Sequence, residues 1–140
     1  LLKRLQLQDK LSRSLTRLSG GEWQRVRLAA VCVQIDPHIN PHGRLLILDE
    51  PMTVLDIAQQ KAVDDLIADL CAAGISVIAS SHDLNHSLQQ ADRVWLMDQG
   101  ELIAQGEPAE VLTPQRLTPL YQIAFRQLEL EGRTLLTVLP

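Results

Sequence analysis

The residues of this 140-residue chain that could do chemistry fall in three short clusters. The first, Ser19-Gly20-Gly21-Glu22, spells S-x-x-E, a capping box in which Ser19 caps a helix and Glu22 reaches back to it. That accounts for Ser19 and Glu22 and leaves the glycines unexplained, since each costs about 1 kcal/mol relative to alanine inside a helix. Lacking Cβ atoms, they let an anion such as phosphate approach backbone N–H groups at the positive end of a helix dipole. A plain cap remains the alternative. The second cluster, Asp49-Glu50, follows the apolar run Leu45 to Leu48 and precedes Pro51. Of two adjacent carboxylates at a strand end, one can hold Mg²⁺, generally through water, while the next orients and activates a nucleophilic water. An acidic turn is the structural reading. The third is His82, just past the apolar run Ile75 to Ser80; a lone histidine there can equally be a capping residue. What favours chemistry is the joint order: glycine anion site, apolar strand with Asp-Glu, strand-end histidine.

The elements that must position these residues follow from periodicity and punctuation. Trp23, Val26, Ala30 and Val33 fall at helical spacing, which predicts a helix to about Ile35, stopped by the prolines and glycine of Asp36 to Gly43. Leu45 to Leu48 reads as a strand covered on both faces of a parallel sheet. A helix is predicted from about Ile57 to Ala73, with Ala58, Ala62, Leu66, Ala68 and Leu70 on its inner stripe and Gly74 as its stop. With the strand at Ile75 to Ser80 this makes a βαβ unit, which places Asp49, Glu50 and His82 along one crevice at the strands' C-terminal ends. Arg93 to Gly106 reads as two strands joined at Gln99-Gly100. Short helices are expected at Pro108 to Leu112 and Gln115 to Phe125, then a hairpin over Gln127 to Val138. No internal repeat or low-complexity segment is present.

Composition narrows the classes. The four aromatic residues, Trp23, Trp95, Tyr121 and Phe125, are too few for a base-stacking platform on single-stranded nucleic acid. The longest apolar run, Leu28 to Val33, is far too short to span a bilayer, and no signal-peptide pattern opens the chain. Cys32 and Cys71 lack metal-ligand spacing and read as buried, reduced thiols. The net charge of −4 conceals an asymmetry, with +5 over residues 1–27 and −9 beyond. A basic stretch beside a glycine turn suits an anionic ligand, although a solvated charged face is the commoner explanation.

Taken in order, these motifs resemble those of the ABC ATPases. "LSGGEWQR" resembles their signature, with Glu22 where many members carry glutamine. "LLILDEP" resembles the Walker B strand, "MTVLD" (Met52 to Asp56) the D-loop, and "SSHD" the switch histidine. The resemblance implies an α/β fold: the C-terminal part of a P-loop NTPase domain, mostly parallel sheet flanked by helices, with C-terminal hairpins. Residues 1–43 would end a helical subdomain, and 44–140 would be part of the catalytic core and a C-terminal extension. It further implies ATP and Mg²⁺ as cofactors. Ser19, Gly20, Gly21, Glu22 and Asp56 would be binding positions, the first three gripping the γ-phosphate of ATP on the opposite subunit. Asp49 would position Mg²⁺ through water, Glu50 would polarise the attacking water, Asp56 would communicate across the dimer, and His82 would sense the γ-phosphate. The implied partners are a second ATPase subunit, transmembrane permease subunits and, indirectly, a periplasmic binding protein, with no nucleic acid. The implied location is the cytoplasmic face of the bacterial inner membrane.

The chain departs from the family pattern in three ways. It has no G-x-x-x-x-G-K-[ST] phosphate loop. It lacks the adenine-stacking aromatic and the glutamine loop; all three would lie before Leu1, so the chain alone is expected to be inactive. The D-loop carries Thr53-Val54 where serine and a small residue are usual. Within the family, "GGEWQRVRLAAV", the insert "QIDPHINPHGR", "DEPM" and "SSHDLNHSL" resemble the ATPase subunits of vitamin B12 (cobalamin) importers, with siderophore or haem importers the alternative. Two other classes stand beside these. DNA-repair and chromosome ATPases share the motifs but carry long heptad arms, and no sustained heptads occur here. A truncated, non-enzymatic product is distinguished by its lack of ATP affinity.

Overall fold

The computed structural model describes residues 1–139. They form two compact units, the first Leu1–Ser81 and the second starting at His82. The subdomain boundary expected after Gly43 falls inside the first unit, where residues on both sides of it share one core.

In the first unit, short 3-10 turns at Gln8–Lys10 and Leu15–Arg17 lead into helix α1 (Gly20–Ile35). Strand β1 (Leu45–Leu48), helix α2 (Ile57–Ala72) and strand β2 (Ser76–Ala79) follow. The strands pair in parallel with Leu48 opposite Ala79, as the βαβ pattern requires. The core joins Leu5 and Leu7 to Leu28, Cys32 and Ile35 of α1, Leu46 and Leu48 of β1, and Val63 and Leu66 of α2.

The faces differ from the expected ones. In α1 the buried stripe is Arg25, Leu28, Ala29, Cys32 and Ile35, while Trp23, Ala30 and Val33 are exposed and Val26 is half-buried. The helix is apolar nearly all round, so two stripes compete and the packing partner decides between them. In α2, Val63 and Leu66 are buried with Ile67 and Leu70 against them, whereas Ala58 and Ala68 lie outside. The larger side chains at i, i+3, i+4 and i+7 take the core. Strand β1 is covered on one face only: Leu46 and Leu48 point inward, Leu45 and Ile47 outward. Cys71, expected to be buried, is exposed; Cys32 is buried. Gly74 does stop α2. At φ +85° it allows the N–H of Ile75 to reach Leu70 O and its own N–H to reach Cys71 O, closing a Schellman motif.

The second unit opens with helix α3 (Leu84–Gln90), which the periodicity did not predict. The antiparallel strands β3 (Val94–Asp98) and β4 (Glu101–Gly106) turn at Gln99-Gly100 as expected, with a bulge between Leu96 and Met97. Helices α4 (Pro108–Val111) and α5 (Pro114–Tyr121) precede the hairpin of β5 (Phe125–Leu130) and β6 (Arg133–Val138). Helix α5 ends four residues before the expected Phe125, because Gln122 turns left-handed at φ +55° and Phe125 starts the next strand. Leu96, Val111, Leu112, Leu117 and Leu136 form this unit's core. The Asn85 side chain exchanges two hydrogen bonds with the Leu136 backbone, fixing α3 on β6.

Candidate functional site

Ser19 is the N-cap of α1, and the capping box is complete. The N–H of Glu22 donates to Ser19 Oγ at 3.2 Å, and the N–H of Ser19 donates to Glu22 Oε2 at 2.8 Å. Gly20 and Gly21, the first two helical residues, have no intrahelical acceptors for their N–H groups. Their surroundings differ. A Cβ on Gly20 would meet nothing within 4 Å, whereas one on Gly21 would lie 3.0 Å from Val54 O. Gly20 therefore leaves the helix end open to a ligand, whereas a Cβ on Gly21 would crowd the backbone packed against it.

That backbone belongs to the turn after β1. Glu50 takes φ +43° and Val54 φ +63°, an unfavourable conformation for a β-branched residue. The turn is held from three sides. Gln24 Nε2 donates to Pro51 O at 3.4 Å, Gln60 Nε2 to Leu55 O at 3.3 Å, and Thr53 Oγ1 to Glu50 Oε2 at 3.0 Å. Asp56 ends the turn as N-cap of α2, its Oδ1 accepting from the N–H of Gln59 at 2.8 Å.

The parallel register explains how Asp49 and Glu50 are positioned. The N–H of Ser80 continues the ladder to Leu48 O at 3.0 Å, which brings its hydroxyl to the end of β1. Ser80 Oγ donates to Asp49 Oδ1 at 2.6 Å and accepts from the N–H of Glu50 at 2.8 Å. Both carboxylate residues are solvent-exposed. Among the described residues, no three or more His, Cys, Asp or Glu side chains cluster to hold a metal ion. A single carboxylate fits Mg²⁺ held largely by water and substrate phosphates. His82 is exposed and opens the second unit, next to Asp83, the N-cap of α3. Within the first unit, the start of α1 meets the turn after β1 at Gly21 and Val54 O, and Asp49, Glu50 and Asp56 lie on that same connection between β1 and α2; His82 is the first residue of the second unit.

Three residues escaped sequence reading. Ser80 is the bridge just described; its signal was its place opposite Asp49 once the strands are aligned. Arg25 is buried among apolar neighbours, and its guanidinium donates to Gly21 O at 3.3 Å, Leu5 O at 3.2 Å and Gln6 Oε1 at 3.3 Å. Lys10 Nζ stands 2.7 Å from Asp9 Oδ2 and 3.5 Å from Glu22 Oε1. The Ser19 N–H, assisted by Lys10, holds the Glu22 carboxyl below its usual range against the opposing effect of burial. Asp9 is lowered chiefly by its hydrogen bond from Lys10.

The fold here is that of part of an ABC ATPase domain. It superposes on a structure described as a metal-chelate type ABC transporter with TM-score 0.76 and 28% identity, over 99% of this chain and 55% of that one. A bacterial Atm1-family ABC exporter with ATP bound matches with TM-score 0.64 and 26% identity, over 86% of this chain and 21% of that one.

Among curated proteins, the chain is 60% identical over 132 residues to the vitamin B12 import ATP-binding protein BtuD of Citrobacter koseri, covering 94% of this chain and 53% of the relative. It is 56% identical to the protein of the same name from Pectobacterium atrosepticum, covering 95% and 53%. The chain therefore spans about half the length of the curated relatives it matches. No family model matches it.

Proposed function

We propose that this chain provides the signature segment and the Walker B strand of the ATP-binding subunit of an ABC importer, coupling ATP hydrolysis to vitamin B12 uptake. Residues 1–43 would end the helical subdomain, and those from 44 on would belong to the catalytic core and its extension. The observations that support the reading are the open glycine start of α1 and, in the same unit, the Asp49-Glu50 strand end held by Ser80. The names of relatives at 56–60% identity support the substrate.

In this reading Ser19 Oγ and the N–H groups of Gly20 and Gly21 bind the γ-phosphate of ATP held by the opposite subunit. The helix dipole and exposed donors make that end anion-binding. Bound Mg²⁺ supplies charge neutralisation across the phosphates. Asp49, its Oδ1 held by Ser80, would hold the ion through water. Glu50, its N–H held by Ser80 and its carboxylate by Thr53, accepts a proton from the attacking water. His82 senses the γ-phosphate, and Asp56 sets the turn that faces the second subunit. The partners are a second copy, permease subunits and, indirectly, a periplasmic binding protein. The subunit would act at the cytoplasmic face of the inner membrane. Among the described residues, no helix is long and apolar enough to cross a membrane.

A chimera in which this chain replaces the matching segment of the Citrobacter koseri relative tests the reading. It should hydrolyse ATP and support vitamin B12 uptake in cells lacking their own subunit. In it, Glu50→Gln should retain ATP binding and lose a factor of about 10²–10⁴ in turnover, the usual contribution of a general base. Near-normal hydrolysis by that variant would overturn the assignment. The metal-chelate description of one structural match favours a siderophore or haem importer as the second reading. Rescue of ferric-siderophore uptake without vitamin B12 uptake would decide for it.

A further inference from the structure

The capping box sets a problem for the proposed phosphate clasp. Glu22 completes the box by folding its carboxylate back onto the N–H of Ser19, at the same helix end where an anion is to bind. The carboxylate stays ionised, because the N–H of Ser19 favours its charged form. An uncompensated carboxylate there would repel phosphate and offset the attraction of the helix dipole.

The compensating charge comes from the segment before the helix. Leu5 and Leu7 are 1% and 2% exposed, which anchors this segment in the core, and Arg25 ties Leu5 O to the first turn of α1. From that anchor, the N–H of Lys10 bonds to Leu7 O at 3.0 Å, setting the residue at the end of a 3-10 turn. Its side chain is 20% exposed and that of Glu22 15%, so the pair is well shielded from water. Asp9 Oδ2, 2.7 Å from Nζ, holds the ammonium from the other side. Arg13 lies 3.9 Å from the same Glu22 oxygen but is 47% exposed, and exposed pairs contribute little.

Resting on the importer reading above, we infer that Lys10 is a positioning residue for the clasp. Its ammonium offsets part of the Glu22 charge, so that the N–H groups of Gly20 and Gly21 meet the γ-phosphate with less like charge beside them. A purely structural role, tethering the first ten residues to α1, makes a different prediction about Glu22. If Lys10 acts by compensating charge, it becomes dispensable once Glu22 is neutral. If it acts as a tether, it does not.

The test is a double-mutant cycle in the chimera, reading the KM for ATP, kcat and thermal unfolding. Lys10→Met should raise KM about tenfold, the order expected for one uncompensated charge at short range, with little change in kcat or melting temperature. Lys10→Arg should restore KM. Lys10→Met combined with Glu22→Gln should return KM to within about threefold of Glu22→Gln alone, because the interaction is then absent from both. Equal losses from Lys10→Met with and without Glu22→Gln would overturn the inference, as would an unchanged KM in the single variant. Gly20→Asp separates this from the underlying reading. If it leaves hydrolysis intact, no phosphate binds at the helix start, and the importer assignment of that site fails together with the role of Lys10. If it abolishes hydrolysis while the cycle shows no coupling, only the role of Lys10 is lost.

Discussion

Gly20 and Gly21 are chemically identical neighbours with different surroundings, and substitution should separate their roles. Gly21→Ala places a Cβ 3.0 Å from the Val54 backbone oxygen, so the turn after β1 must shift by a few tenths of an ångström, and it should lower stability. Gly20→Ala meets no atom and should not weaken the helix, yet in the proposed reading it would narrow the phosphate's approach. The expected outcome is a lower melting temperature for the first, and an unchanged or higher one with raised KM for ATP for the second. Chemical denaturation beside steady-state kinetics on the chimera checks both, and a destabilised Gly20→Ala would refute the division. Ser80→Ala removes the hydroxyl that joins Asp49 to the N–H of Glu50 and should lower turnover about tenfold with ATP binding retained. Unchanged turnover would show that the carboxylates are positioned without it. The thiols differ as well. Burial raises the Cys32 thiol above its ordinary range, so an alkylating reagent should modify exposed Cys71 first and reach Cys32 only on unfolding. The glycine pair was visible in the sequence because a capping box left it unexplained. The reason specific to Gly21 was not, since it depends on the carbonyl of Val54, far along the chain.

At the level of elements, the signals that held were local. Gly74 at the end of α2, the Gln99-Gly100 turn and the apolar run of β1 each carry their cause within a few residues. Faces were harder to read. Helix α1 has apolar residues on both the Trp23–Val33 side and the Leu28–Cys32 side, and only its neighbours select one. Helix α3, with seven residues of mixed composition, is capped by Asp83 and fixed by Asn85 on β6 rather than by periodicity. The buried Arg25 links the start of α1 to the preceding segment. Arg25→Met leaves the acceptor Leu5 O without its donor and removes the side-chain bond that Gly21 O accepts beside its helical one; it should cost about 1.5–3 kcal/mol, the range for hydrogen bonds to charged groups. Urea unfolding of the chimera measures it, and a loss below about 0.5 kcal/mol, the level of an ordinary surface substitution, would contradict that role. Glu22 gives the same helix end a pH dependence. Its folded carboxyl titrates below the ordinary value of 4.5. Its stabilising contribution is therefore complete above that value and is lost as pH falls through the lower folded one. Glu22→Gln should flatten the acid limb of the stability profile, and an identical limb in both proteins would count against the charged capping box.

For the molecule as a whole, the decisive feature is apolar surface that the described residues leave bare. Leu45 is 50% and Ile47 68% exposed on the outer face of β1, and each strand of the parallel pair has a neighbour on one side only. In the second unit, Trp95 and Met97 on β3 are 56% and 58% exposed. A two-stranded sheet is marginal without further strands or a covered face, and free edges beside apolar side chains invite pairing between chains. The sequence read β1 as covered on both faces because Leu-Leu-Ile-Leu is apolar at every position, a pattern that records what the strand can bury. Which of its faces has a partner is a property of the surrounding chain. The 140 residues alone should therefore bind a hydrophobic dye, scatter light at micromolar concentration and unfold over a broad temperature range. They should also turn over no ATP, since no G-x-x-x-x-G-K-[ST] loop is present to hold the β- and γ-phosphates. The chimera should lose the dye signal and unfold cooperatively. Calorimetry and light scattering on both proteins, with an ATPase assay in Mg²⁺, provide the comparison. A sharp, dye-free transition with measurable turnover from the 140 residues alone would show that these bare faces need no cover and that this chain hydrolyses ATP by itself.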